Sequence, residues 1–267
     1  MKTSDRNSAL TMRRFSIFEE DGRVVHFITT RHGGVSTGNY ASLNLSEYAG
    51  DDPAAVRRNR ETLCGALGIP VARLCVPRQV HGDRIGLLEE PPSSFAEDMD
   101  ALITGEPGIC LAVSTADCVS LLLYAPDKKK IAAVHAGWRG TVLQIAGQTV
   151  RRMAEELGCN PGRMLAGIGP SIGCGAFEVG EEVCASFISA GLEMQHICRR
   201  NASTGKAHID LKEANRLQLL EAGIPDARIE VSDVCTYTRH DEFFSARRLG
   251  ILSGRMLTGI MLKNKQE

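Results

Sequence analysis

No stretch of this chain carries the roughly 18 consecutive apolar residues of a membrane span. Met1–Glu20 is charged throughout and lacks the apolar run of a signal peptide. Net charge is only −1, with the Lys and Arg scattered, which argues against a nucleic-acid or membrane partner held by bulk electrostatics. The nine cysteines are odd in number and follow no regular framework, so a reducing cytoplasm with mostly free, buried thiols is expected. Seven histidines include no His-x-His pair, which argues against a multicopper cluster. The deaminase signature H-x-E…P-C-x-x-C is missing as well. Gly167–Gly173 is glycine-dense, but its spacing fits neither dinucleotide nor Walker loops, and Pro170 removes an amide donor. Cofactor nucleotide binding therefore has little support.

What remains is an ordinary soluble globular composition, 43% hydrophobic and 24% charged over 267 residues. No repeat, low-complexity tract or linker divides it. We expect one α/β (α+β) domain over residues 1–267, with 1–20 a loosely ordered N-terminal segment.

Residues 111–141 organise the chain. Two apolar runs, Val119–Tyr124 and Lys130–His135, flank Ala-Pro-Asp-Lys-Lys, which favours chain reversal and an antiparallel hairpin. Centred between Pro126 and Asp127, the hairpin pairs residues whose numbers sum to about 253. Cys118 and His135 then stand opposite each other, side chains on one face. A thiol beside an imidazole has three readings: a small buried hydrophobe near a satisfied histidine, a Cys–His nucleophile, or two zinc ligands.

The flanking segments supply elements and candidates. Val24–Thr30 reads as a strand running into Arg31-His-Gly-Gly, where the Gly33-Gly34 turn allows close ligand approach and Arg31 can hold an anion or merely face solvent. Asp52-Pro53 opens a helix to about Leu67, capped by Gly68. Leu74–Val80 reads as a strand ending at His81, which by itself is an ordinary satisfied histidine. Asp100–Thr104 and Ile109–Ser114 suggest a further strand pair. A helix follows Gly137-Trp-Arg-Gly140 through Leu157, with Trp138 either capping a pocket with its ring or plugging the core end. Arg139, at that helix start, gains nothing from the dipole, so it either holds an anion or simply packs. Further helices are expected over about 180–190 and 210–222, and a last strand over Arg255–Leu262.

Several separated motifs, in order, carry a family resemblance: T-R-H-G-G-V-S at 30–36, A-S-L-N-L-S at 41–46, R-Q-V-H-G at 78–82, T-A-D-C at 115–118, A-V-H-A-G-W-R-G at 133–140, G-I-G-P-S-I-G at 167–173 and F-F-S-A-R-R at 243–248. Together they resemble the YfiH or laccase-domain family, also called the peptidoglycan editing factor family. Val119-Ser120 and Leu249 depart from its common pattern. The resemblance implies a mixed β-sheet sandwich flanked by helices, and a metal site formed by His81, Cys118 and His135. Three ligands leave a fourth zinc position open for water or substrate. It also implies zinc-dependent phosphorolysis of purine nucleosides (adenosine, inosine, methylthioadenosine) with accompanying adenosine deamination. Arg31, Gly33, Gly34 and Arg139 are then the candidate phosphate donors. Competing readings are a polyphenol oxidase using adventitious copper in the open site, a Cys118–His135 hydrolase, and a non-catalytic factor in cell-wall precursor editing.

Overall fold

Every residue of Val119–Ala125 is buried, and the alternation of a strand divides them between two interiors. Val119, Leu121, Leu123 and Ala125 face one core and Leu122 and Tyr124 another. A strand with two apolar faces belongs in the middle of a layered structure. The structure, a computed structural model, describes residues 2–3, 10–90 and 97–264.

Its strands are β1 (Lys2–Thr3), β2 (Met12–Arg14), β3 (Val24–Thr29), β4 (Leu74–Cys75), β5 (Ile85–Leu88), β6 (Ala101–Thr104), β7 (Cys110–Thr115) and β8 (Val119–Ala125). They continue with β9 (Lys130–Ala136), β10 (Leu165–Ile168), β11 (Glu178–Val179), β12 (Cys198–Arg200), β13 (Ala207–Ile209), β14 (Ile229–Val231) and β15 (Met256–Leu262). The helices are α1 (Pro53–Leu67), α2 (Trp138–Val142), α3 (Ile145–Leu157), α4 (Glu181–Ser189), α5 (Met194–Ile197), α6 (Leu211–Glu221) and α7 (Ala246–Leu249). None of them is long and apolar enough to cross a membrane.

Two mixed sheets of six strands, ordered β1-β2-β3-β15-β7-β4 and β14-β10-β8-β9-β6-β5, pack face to face. Ile28, Leu111, Val113 and Ile260 of the first meet Leu122, Tyr124, Ile131 and Ala133 of the second. Helix α1 covers the outer face of the first sheet through Leu63 and Cys64. Helices α3 and α6 cover the outer face of the second through Ile145, Val150, Met153, Ala214 and Leu219. This is the sandwich flanked by helices that the motifs imply.

Helix α1 begins and ends where its punctuation says. Asp52 accepts from Ala54 N at 3.0 Å, Pro53 takes the first turn, and Gly68 closes it at φ 68°. Asn59 on its buried face accepts from Val35 N and donates to Ser36 and Asn44, fixing the segment that leads to Ser46–Ala49.

Five expectations need correction. The β8–β9 partners sum to 255, as in Val119↔Ala136 and Ala125↔Lys130, because the turn takes four residues, Pro126 to Lys129. Pro126 lacks a ladder amide and suits the first turn position, and Lys129 closes the loop at φ 51°. β6 and β7 do not pair: they belong to different sheets, and runs apolar on both faces leave the partner unspecified. The strand at Leu74 stops at Cys75. The helix after Trp138 is two helices, broken where Gln144 turns left-handed at φ 60°. Finally, residues 10–20 are built into the fold, with Phe15 and Phe18 in the inter-sheet core; of residues 1–9, only the backbone pairing of Lys2–Thr3 with β2 is described.

Candidate metal centre and its cavity

A register shift of two preserves side-chain parity. Cys118, one residue before β8, and His135, opposite Ser120, therefore still point to the same face, as diagonal neighbours. They meet at the end of the sandwich, and the turn after β4 brings His81 to them. The donor atoms of His81, Cys118 and His135 all lie within 4.8 Å of one another, the one such group of metal-ligating side chains among the described residues. Cys118 Sγ is 3.7 Å from His81 Nε2, and the two imidazoles meet edge to face at 4.7 Å.

Asp100 holds this arrangement together. Wholly buried one residue before β6, it takes His135 Nδ1 at 2.7 Å. The same carboxylate accepts the amides of Val80, His81 and Gly82 at 3.2, 3.0 and 2.8 Å. That clamp explains how His81 tolerates φ 61°, a left-handed conformation uncommon outside glycine. Asp117 does similar work beside Cys118. It sits at φ 89° and spends its two oxygens on Thr236 Oγ1 and Arg247 N, at 2.6 and 2.7 Å. Gly137 leaves room for the cluster, since a Cβ there would stand 2.8 Å from His81 Cδ2 and 3.2 Å from Cys118 Sγ.

The electrostatics favour charge-separated donors. Burial pushes the Cys118 thiol up, but His135 and His81 outweigh it and bring it down to about 6. Burial pushes His135 down, but Cys118 and Asp100 raise it to about 9. Burial pushes Asp100 up, but the bond to His135, its charge and the Gly82 and Val80 amides together hold it below the usual carboxylate range. Cys64 and Cys75, by contrast, are raised to about 11 by burial and are inert packing.

The donor set fits zinc. Ligand bonds of about 2.0–2.3 Å in a tetrahedron place sulfur and nitrogen roughly 3.6 Å apart, close to the 3.7 Å between Cys118 and His81. With Asp100 on Nδ1, His135 Nε2 is left for a metal, which would complete the usual carboxylate–histidine arrangement.

The centre opens into a cavity of about 580 Å³, walled by Ser46–Ala49, Val76–His81, Ser114–Ala116, Cys118, His135, Ala246, Ile251 and Arg255 among others. Arg31, Gly33, Gly34 and Arg139 are not among its lining residues. Arg31 gives Nε to Ala41 O at 2.8 Å and NH1 to His240 O at 2.7 Å, and stacks on Phe244. Gly34 faces its own chain: a Cβ there would lie 2.2 Å from Ser42 O. Exposed Arg139 stacks over Trp138 at 4.4 Å, and Trp138 packs half-buried on the core. Asp100 and Arg255 escaped the reading of the sequence. A carboxylate opening the apolar run Ala101–Thr104 was the available signal for the first, since a buried acid demands partners; Arg255 gave none.

Purine nucleoside phosphorylase of Bacteroides thetaiotaomicron is 48% identical over 247 residues, covering 90% of this chain and 92% of that one. A protein named adenosine deaminase RL5, from an unknown prokaryotic organism, is 43% identical, covering 89% and 93%. The crystal structure of YlmD from Geobacillus stearothermophilus superposes with a TM-score of 0.90 at 34% identity, covering 98% and 99%. A family model described as multi-copper polyphenol oxidoreductase laccase matches residues 25–263. The chain belongs to this laccase-domain family, with YfiH and YlmD proteins among its relatives.

Proposed function

We propose that this chain is a zinc-dependent purine nucleoside phosphorylase. It converts adenosine, inosine or methylthioadenosine, with phosphate, to the free base and the sugar 1-phosphate, and it also deaminates adenosine. The observation that carries the reading is the convergence of His81, Cys118 and His135 within 4.8 Å on the wall of a cavity large enough for a nucleoside. Relatives bearing the names purine nucleoside phosphorylase and adenosine deaminase supply the substrate class.

In this reading His81, Cys118 and His135 hold the metal, and Asp100 orients His135 through Nδ1 and the His81 turn through its amides. Zinc bound by three protein ligands supplies a Lewis acid with one open position. The multicopper description of the family finds a single three-donor cluster here, among the described residues. Free cysteines throughout fit a cytoplasmic enzyme, and the partners are small molecules rather than nucleic acid or membrane.

The test is chromatography of adenosine incubated with purified protein, with and without phosphate, beside Cys118→Ser. Phosphate-dependent release of adenine by the wild type alone is expected. Equal release without phosphate would mean hydrolysis and reject phosphorolysis. Inosine in both conditions would report the deaminase activity. Turnover of no nucleoside, with phenol oxidation after copper addition, would hand the site to polyphenol oxidation.

A further inference from the structure

We propose that Arg255 is the seat of the inorganic phosphate co-substrate, an inference that rests on the phosphorylase reading. Three arginines line the cavity. Arg60 is paired with Glu47 at 2.9 Å and donates Nε to Leu45 O. Arg78 is paired with Asp98 at 2.6 Å. Arg255 has no carboxylate partner among the described residues, although it is only partly exposed. Of the acidic groups that act on it electrostatically, Cys118 belongs to the candidate metal centre, and Asp117 already spends both oxygens on Thr236 and Arg247.

The guanidinium is nonetheless fixed. NH1 donates to Ser253 O at 2.6 Å and Gly254 O at 3.0 Å, and NH2 to Ile251 O at 3.0 Å. The backbone amide of Arg255 is tied to Asn44 Oδ1 at 2.9 Å. Carbonyls orient the fork but bring no counter-charge, and Nε makes no hydrogen bond among the described residues. The Nε–H and the second NH2 proton remain available on a pre-positioned cation. A partly desolvated guanidinium without an anion is costly, and a tetrahedral oxyanion with two acceptors repays that cost. An anion held there shares the cavity with Cys118 and His135.

The experiment titrates inorganic phosphate into the zinc-loaded full chain by calorimetry, at ionic strength held constant with chloride. Arg255→Gln is expected to weaken phosphate binding at least about tenfold, Arg255→Lys by less, and Arg139→Ala not at all. In turnover, Arg255→Gln raises the KM for phosphate and leaves the KM for nucleoside unchanged, with zinc retained. Phosphate binding within about twofold of wild type in folded, zinc-loaded Arg255→Gln would overturn the seat. So would a loss confined to adenosine 5′-monophosphate, which would assign Arg255 to a nucleotide phosphate instead. Should the variants fail to fold, phenylglyoxal modification of the wild type decides: phosphate protects Arg255 in the peptide mass map, and absence of protection refutes the seat. Arg255-dependent phosphate binding without nucleoside turnover would keep the seat and remove the phosphorylase reading. Phosphate-dependent turnover indifferent to Arg255→Gln would do the reverse.

Discussion

Asp100 and His135 are joined twice: the carboxylate takes the ring Nδ1 at 2.7 Å, and the Asp100 carbonyl takes the His135 amide, also at 2.7 Å. The same carboxylate gathers three successive amides of the turn bearing His81. Two histidines of the candidate metal centre, far apart in sequence, thus depend on one buried acid.

Asp100→Asn keeps the shape and removes the charge. Zinc affinity should fall about ten- to hundredfold, measured by competition with a chromophoric chelator. Asp100→Ala leaves four donors without their acceptor and should also destabilise the fold, at roughly 1–3 kcal/mol per unsatisfied group. Zinc affinity in Asp100→Asn equal to wild type would show that the carboxylate only fills space.

Gly137→Ala tests the crowding of the centre. The new methyl meets His81 Cδ2 and Cys118 Sγ, side chains rather than core backbone. Gly137 sits at φ −66°, which alanine adopts freely, so the fold should survive with a melting shift of only a few degrees. Zinc occupancy should drop because His81 must swing aside. Full occupancy at wild-type affinity would mean that the cluster relaxes around the methyl.

Alkylation of metal-free protein reads the thiol directly. A Cys118 pKa lowered to about 6 means thiolate persists above that pH and is lost as pH falls through it. With His135 raised to about 9, the metal-free centre is a thiolate–imidazolium pair between those limits. Iodoacetamide labelling of Cys118 should rise with a midpoint near pH 6, and zinc should suppress it. Peptide mapping separates Cys118 from Cys235, whose thiol is also lowered: Gly173 and other amide donors outweigh its burial. A Cys118 midpoint near the ordinary thiol value, about 8.5, would remove the ion pair.

Parity was legible in the sequence and register was not. Residue alternation puts Cys118 and His135 on one face at either sum, 253 or 255, so the pairing of functional groups survived an error in turn length. Turn length itself depends on whether Pro126 sits in the ladder or the loop, and on Lys129 adopting a left-handed conformation that no composition rule announces. Helix α1 was readable because Asp52, Pro53 and Gly68 act locally. The separation of β6 and β7 was not, since strands apolar on both faces choose partners by the whole fold. His81 became a ligand candidate only through the motif resemblance. Asp100 acts through Val80–Gly82 and His135, partners distant in sequence that pattern does not reach, and the cavity that Arg255 lines is assembled from equally distant segments.

The placement of β15 has a consequence for synthesis. It lies between β3 and β7, and Leu257 N reaches Thr29 Oγ1 across 228 positions. While a ribosome is still translating the intervening residues, β3 and β7 each display an unpaired hydrogen-bonding edge toward a missing neighbour. The nascent polypeptide therefore spends most of its elongation with the centre of one sheet open. A premature stop before Met256 removes a keystone strand rather than a fringe, leaving two sticky edges for chaperones to shield.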